Sequence, residues 1–198
     1  MNKILLGVLL FFLTSAQAAI VDSMLVNGSD PKLLHISNVH HSGYLYAENY
    51  QHQKILIYKL SSPYPTESSF SSEQLDDTDI LEIMFPCIKN SNNTCTRYLN
   101  RRTNKLSQIY VYLLDYNPKK DIIAYYFKDK NLVVISRAFK TCNKPLNYLI
   151  KLEENSDFGI KTKFLSTGDL QLDYEASDGK DILKIIRPNY EKLFSICS

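Results

Sequence analysis

The sequence has no tryptophan and almost no net charge: 23 Lys and Arg stand against 21 Asp and Glu, a formal balance of +2. A chain so close to neutral has no basic footprint, which excludes bulk nucleic-acid binding. After the first 18 residues no stretch approaches about 18 uninterrupted apolar residues, so no helical membrane span is expected there. No cysteine directly follows the first apolar run, which argues against a lipoprotein anchor. There is no CxxC pair and no G-x-S-x-G elbow for a serine nucleophile. The Asp77-Thr78-Asp79 run lacks the glycine and the spaced glutamate of a calcium loop. No long segment carries apolar residues at helical spacing.

The first 18 residues, MNKILLGVLLFFLTSAQA, have three parts. Lys3 supplies a charge, Ile4 to Leu13 an apolar run too short for a bilayer, and Ala16-Gln17-Ala18 a small-residue cleavage pattern. This reads as a signal peptide cleaved after Ala18, leading to a periplasmic or secreted product. Residues 19–198 are enough for a single β-rich domain with its own core.

The four cysteines, Cys87, Cys95, Cys142 and Cys197, all fall in the exported part. In an oxidising compartment an even count reads as two disulfides, for which three pairings exist. Cys87–Cys95 with Cys142–Cys197 is favoured. IKNSNNT, between the first two, is a turn-rich tip that brings two strand ends together.

What the chain does have is short runs of period two. KILIYKL (54–60), DILEIMF (79–85), QIYVYLL (108–114), IIAYYF (122–127), LVVISRAF (132–139), YLIKLE (148–153), IKTKFL (160–165), LQLDYE (170–175) and ILKIIR (182–187) are rich in β-branched and aromatic residues. Turn residues separate several of them: Asn117-Pro118-Lys119-Lys120, Lys128-Asp129-Lys130-Asn131, Thr167-Gly168-Asp169 and Ser177-Asp178-Gly179-Lys180. The pattern predicts an all-β, antiparallel meander forming a sandwich or a barrel. A polar break over 61–79 reads as a long surface loop. RPNYEKLFSIC, with Pro188 near a first turn, allows a short C-terminal helix.

Four groups of residues are candidates for chemistry. The histidines His35, His40, His41 and His52 all lie within 18 positions of one another. They read chiefly as residues scattered over strands and loops; a metal site from His41, His52 and Glu48 is the weaker alternative. The acidic run with Glu73, Asp76, Asp77, Asp79 and Glu82 reads as a solvated loop. The basic stretch TRYLNRRTNK, with Arg97, Tyr98, Arg101, Arg102 and Lys105, is the most partner-like segment, since arginine forks onto carboxylates. Tyr44, Tyr46 and Tyr50 share one strand face and form a second candidate binding surface, because tyrosine offers a large amphipathic ring at low entropic cost.

A stapled β scaffold with exposed loops and no assembled catalytic motif reads as an exported binding protein with a protein partner. The suggested role is that of an inhibitor or immunity protein neutralising a secreted enzyme or toxin. A metal-dependent or hydrolytic enzyme built on the His35–His52 cluster is the alternative from another class. A ligand carrier with a cavity of roughly 300 Å³ or more is a third. No cofactor is expected, and nothing in the sequence bears on oligomeric state.

Overall fold

The computed structural model of the chain describes residues 34–39, 42–60, 70–75, 77–87, 94–139, 147–152 and 159–191, with backbone only for 34–39 and Ser42. The leader over residues 1–18, His40, His41, Asp76, and the Cys142–Cys197 pairing lie outside these residues.

The fold is all-β and antiparallel, as the alternation predicts. Among the described residues, fourteen strands are arranged in four sheets, each built from strands consecutive in the chain. The first sheet holds β1 (Leu34–Val39), β2 (Ser42–Glu48) and β3 (Lys54–Leu60). The second holds β4 (Ser71–Gln74), β5 (Ile80–Pro86), β6 (Thr94–Asn100) and β7 (Lys105–Leu106). The third holds β8 (Leu113–Asn117), β9 (Ile122–Phe127), β10 (Leu132–Arg137) and β11 (Tyr148–Lys151). The fourth holds β12 (Lys161–Phe164), β13 (Leu170–Glu175) and β14 (Asp181–Ile186).

Successive side chains on a strand point to opposite faces, and here both faces of the middle sheets are used. Leu81, Ile83 and Phe85 of β5 pack against Leu45, Ala47 and Ile57 of the first sheet. Ile80 of β5 and Tyr98 of β6 face the other way, onto Ile123 of β9. Ala124 and Tyr126 of β9 then face Leu170, Leu172 and Tyr174 of the fourth sheet. The four sheets are thus layered in chain order, with an apolar seam at each end and a tyrosine-rich seam in the middle. Strands buried on both faces read as nearly continuous apolar runs. IIAYYF and ILEIMF have that character.

The punctuation residues make the turns. Gly168 (φ +93°) donates to Leu165 O at 2.8 Å, and Gly179 (φ +79°) to Ala176 O at 2.9 Å. Asn131 takes the left-handed conformation (φ 51°) after a single 3-10 turn over Lys128–Lys130. Asparagine tolerates this region better than most residues. Tyr190 and Glu191 are helical, and the rest of the proposed C-terminal helix lies outside the described residues.

Three sequence expectations need correction. The break at 61–79 is not loop throughout, because residues 71–74 form β4. Its SSEQ sequence has no apolar alternation to betray it. QIYVYLL is not one strand but the crossover between two sheets. Tyr110 exchanges backbone hydrogen bonds with Thr96 of β6, both 2.9 Å, while pairing with β9 begins at Leu113. The acidic run is not all solvated loop, since Glu82 lies half-buried on β5, directly opposite Glu73 of β4.

Cys87 and Cys95 form a disulfide, with Cα atoms 5.7 Å apart. It ties the ends of β5 and β6, where Phe85 pairs with Cys95. Closing so short a loop stabilises the fold by about 2 kcal/mol through the unfolded chain. One bulge shapes the first sheet. Leu45 pairs with Tyr58 and Tyr46 with Leu56, leaving Ile57 without a partner in the ladder. Ile57 and Tyr58 both contribute to the core, and the Ile57 carbonyl accepts instead from Arg97 Nη1 of β6.

Candidate functional site

Three turns of the first two sheets meet at one end of the molecule: the β2–β3 turn, the β4–β5 turn and the β6–β7 turn. Asn49 is the hinge pin. It is fully buried and polar. Its Oδ1 accepts from Gln51 N (2.9 Å) and Gln53 N (2.8 Å), which shapes its own turn. Its Nδ2 donates to Gln53 Oε1 and across to Asn104 Oδ1, both 2.9 Å, which ties that turn to the β6–β7 tip. His52 and Asn104 sit at positive φ (58° and 59°), as tight non-glycine turns require.

Around this pin the exposed groups are held in fixed positions. Arg101 donates from Nε to Glu48 O (3.0 Å) and from Nη1 to Gln74 Oε1 (3.1 Å). Its guanidinium lies 4.4 Å from the centroid of the Tyr50 ring, and Tyr50 is 43% exposed. Arg102 forks onto Asp79, with Nε to Oδ2 at 2.6 Å and Nη2 to Oδ1 at 3.1 Å. The Arg102 hydrogen bonds hold the Asp79 carboxyl below its ordinary range, and Asp79 in turn raises Arg102. His52 Nδ1 meets Glu48 Oε1.

The cluster joins residues that the sequence presents as four separate groups, Asp79 coming from the acidic run. Tyr50 comes from the tyrosine face, Arg101 and Arg102 from the basic stretch, and His52 with Glu48 from the histidine group. Other members go elsewhere. Tyr44 and Tyr46 lie on the outward face of β2, ring centroids 6.5 Å apart, with Lys59 Nζ 5.8 Å from the Tyr44 ring. Lys105 is exposed on β7.

Two members of the basic stretch are not surface groups. Arg97 turns inward, donating to Ser107 O at 3.0 Å and to the bulge carbonyl, and burial lowers its pKa. Tyr98 is 1% exposed and donates to Glu82 Oε1 at 2.8 Å. Within the basic stretch, Arg97 and Tyr98 thus face inward, while Arg102 and Lys105 are exposed. Residues at 97 and 98 alternate inward on a strand whose neighbours cover both faces, and Arg101 is a bolt between two sheets.

Of the weaker metal set, His52 and Glu48 are in contact, and His41 lies outside the described residues. His35 stands on β1 in register with Tyr46. Among the described residues, no group of three or more His, Cys, Asp or Glu gathers in a way that would hold a metal ion. Asn49 and Gln74, which organise the site, carry no signal in the sequence beyond turn propensity, because their partners are remote in the chain or on another sheet.

No family model matches the chain, and neither a curated protein nor a solved structure matches it. Among the described residues no helix is long and apolar enough to cross a membrane.

Proposed function

We propose that the protein is an exported, disulfide-stabilised binding protein of one domain, and that it neutralises a secreted enzyme or toxin by holding it with the cluster of turns around Tyr50. The observation that carries this reading is the Tyr50–Arg101 pair. An exposed aromatic ring lies on a guanidinium that is itself hydrogen-bonded to two other elements. Tyrosine and arginine dominate the energetics of protein interfaces. A ring already fixed in place loses little freedom when a partner covers it. The Cys87–Cys95 bridge and the leader-like first 18 residues support the export part of the reading.

The test is photo-crosslinking in the expressing cell. A photoreactive phenylalanine analogue at position 50 should give a discrete protein adduct. The same analogue at the exposed Lys180 turn, in the fourth sheet, should not. No adduct from position 50, or the same adducts from both positions, would overturn the proposal. The export part is checked separately by N-terminal sequencing of the extracytoplasmic product, which should begin at Ala19.

A further inference from the structure

We infer that the seam between the second and third sheets binds an organic cation, an ammonium or guanidinium group on an apolar stem. This site is separate from the Tyr50 cluster and does not depend on its role. A cleft of about 460 Å³ opens between the sheets, within the size range of small-molecule sites. Its apolar wall includes Leu75 and Leu113, and its aromatic wall is made by Tyr98 and Tyr116, ring centroids 4.3 Å apart.

The polar groups of the cleft are incompletely engaged. Glu82 Oε1 accepts from the Tyr98 hydroxyl, and no lysine, arginine or histidine among the described residues forms an ion pair with Glu82. The Tyr116 hydroxyl is buried with no hydrogen-bond partner. A buried hydroxyl without a partner is an unmet donor and acceptor beside the cleft. Asp115 also lines the cleft, although its oxygens accept from Tyr116 N (2.8 Å) and Phe164 N.

Charge selects the ligand class. Burial raises the Glu82 pKa, and the carboxylate of Glu73 directly across the strand pair raises it further. An anion entering here would meet two carboxyl groups. A neutral polyol would satisfy hydrogen bonds but leave the carboxylate uncompensated. A cation supplies the counter-charge that Glu82 lacks at the wall of the cleft. The apolar wall suits the stem. Such a group belongs equally to a small amine and to a lysine or arginine side chain of a bound protein.

The experiment is an amide-resolved NMR titration of the whole protein with n-butylguanidinium and with n-butylurea, its neutral isostere. The guanidinium should give saturable shifts at Glu82, Leu113 and Tyr116 and leave Tyr50 unmoved. The urea should bind about tenfold more weakly, because charge-assisted hydrogen bonds are roughly twice as strong as neutral ones. Glu82→Gln, which keeps the side-chain shape, should abolish the difference between the two probes. A third titration, with an arginine capped at both ends, separates the sources. Binding means that a partner's side chain is admitted; failure beside a binding butylguanidinium restricts the site to small cations, and both results support the cation site. Equal binding of guanidinium and urea by the wild-type protein, or discrimination that survives Glu82→Gln, overturns the inference. The wild-type comparison stands whether or not the variant folds.

Discussion

Asn49 engages both its amide donor group and its carbonyl while fully buried, and its four partners belong to two turns. Removing the side chain leaves Gln51 N, Gln53 N and Asn104 Oδ1 to find other partners. Asn49→Ala should therefore destabilise the protein by about 1 kcal/mol, the net scale of intramolecular hydrogen bonds lost when the groups left behind belong to exposed residues. Urea unfolding followed by circular dichroism measures this, and an unchanged midpoint would refute it. Glu82 presents the opposite case. Burial raises its folded-state pKa above the ordinary 4.5. A carboxyl raised on folding contributes most to stability when it is protonated, below its unfolded value, and that contribution is lost as pH rises through the folded value. Glu82→Gln mimics the protonated form and still accepts from Tyr98. Its melting temperature should exceed that of the wild type at mildly alkaline pH, and the two should converge as pH falls toward 4.5. A constant difference across that range would show that charge is not the cause.

Among the elements, the turn between β12 and β13 offers a clean separation of two effects. Gly168 has φ +93°, and a Cβ built there would approach Lys120 Nζ to 2.5 Å. The lysine is the flexible end of a long side chain, so it is able to move. The backbone conformation is not relieved so easily, because an L side chain is strained at that φ. Gly168→Ala should cost about 1 kcal/mol or more, and adding Lys120→Ala should not restore it. Recovery in the double variant, read from melting temperatures, would assign the cost to the clash instead. Lys120 also donates to Thr167 O, and Tyr190 donates to Gly168 O. The turn is thus held from both sides, and burial pushes the Tyr190 phenol up to about 12.

The same elements show what a sequence reveals. KILIYKL, IIAYYF and LQLDYE match β3, β9 and β13 to the residue, because alternation and flanking turn residues agree there. β4 is invisible, since SSEQ has nothing apolar and earns its place by pairing with β5. QIYVYLL misleads because alternation reports which faces are buried, not which sheet buries them. The turns of the third and fourth sheets, such as Thr167-Gly168-Asp169, were legible, but the three turns that build the site were not singled out. Their convergence was not legible either, because it rests on contacts such as Asn49 with Asn104, 55 positions apart. Glu82 is misread with the acidic run as solvated loop, because the charges of its neighbours outweigh the apolar ILEIMF run that carries it onto β5.

At the scale of the molecule, each sheet buries its neighbour in the chain. The two outer seams are apolar and the central one is laced with tyrosines. Neither half has a core independent of the middle sheets, which are covered on both faces. Unfolding should therefore be a single cooperative transition, with calorimetric and van't Hoff enthalpies in agreement. Two resolved transitions would instead divide the molecule at the tyrosine seam.

The bulge at Ile57 and the inward turn of Arg97 form a lock between two sheets, and a lock constrains how a lineage of such chains is able to change. Deleting the extra residue in β3 would restore the ladder and take away the carbonyl that Arg97 Nη1 holds, leaving that end of the guanidinium without its acceptor while Nε keeps Ser107 O. Replacing Arg97 alone would strand the carbonyl. Neither single step is comfortable, so descendants that lose the bulge are expected to exchange the arginine for a neutral residue as well, forty positions along the chain. Aligned relatives should show the two sites changing together, in step.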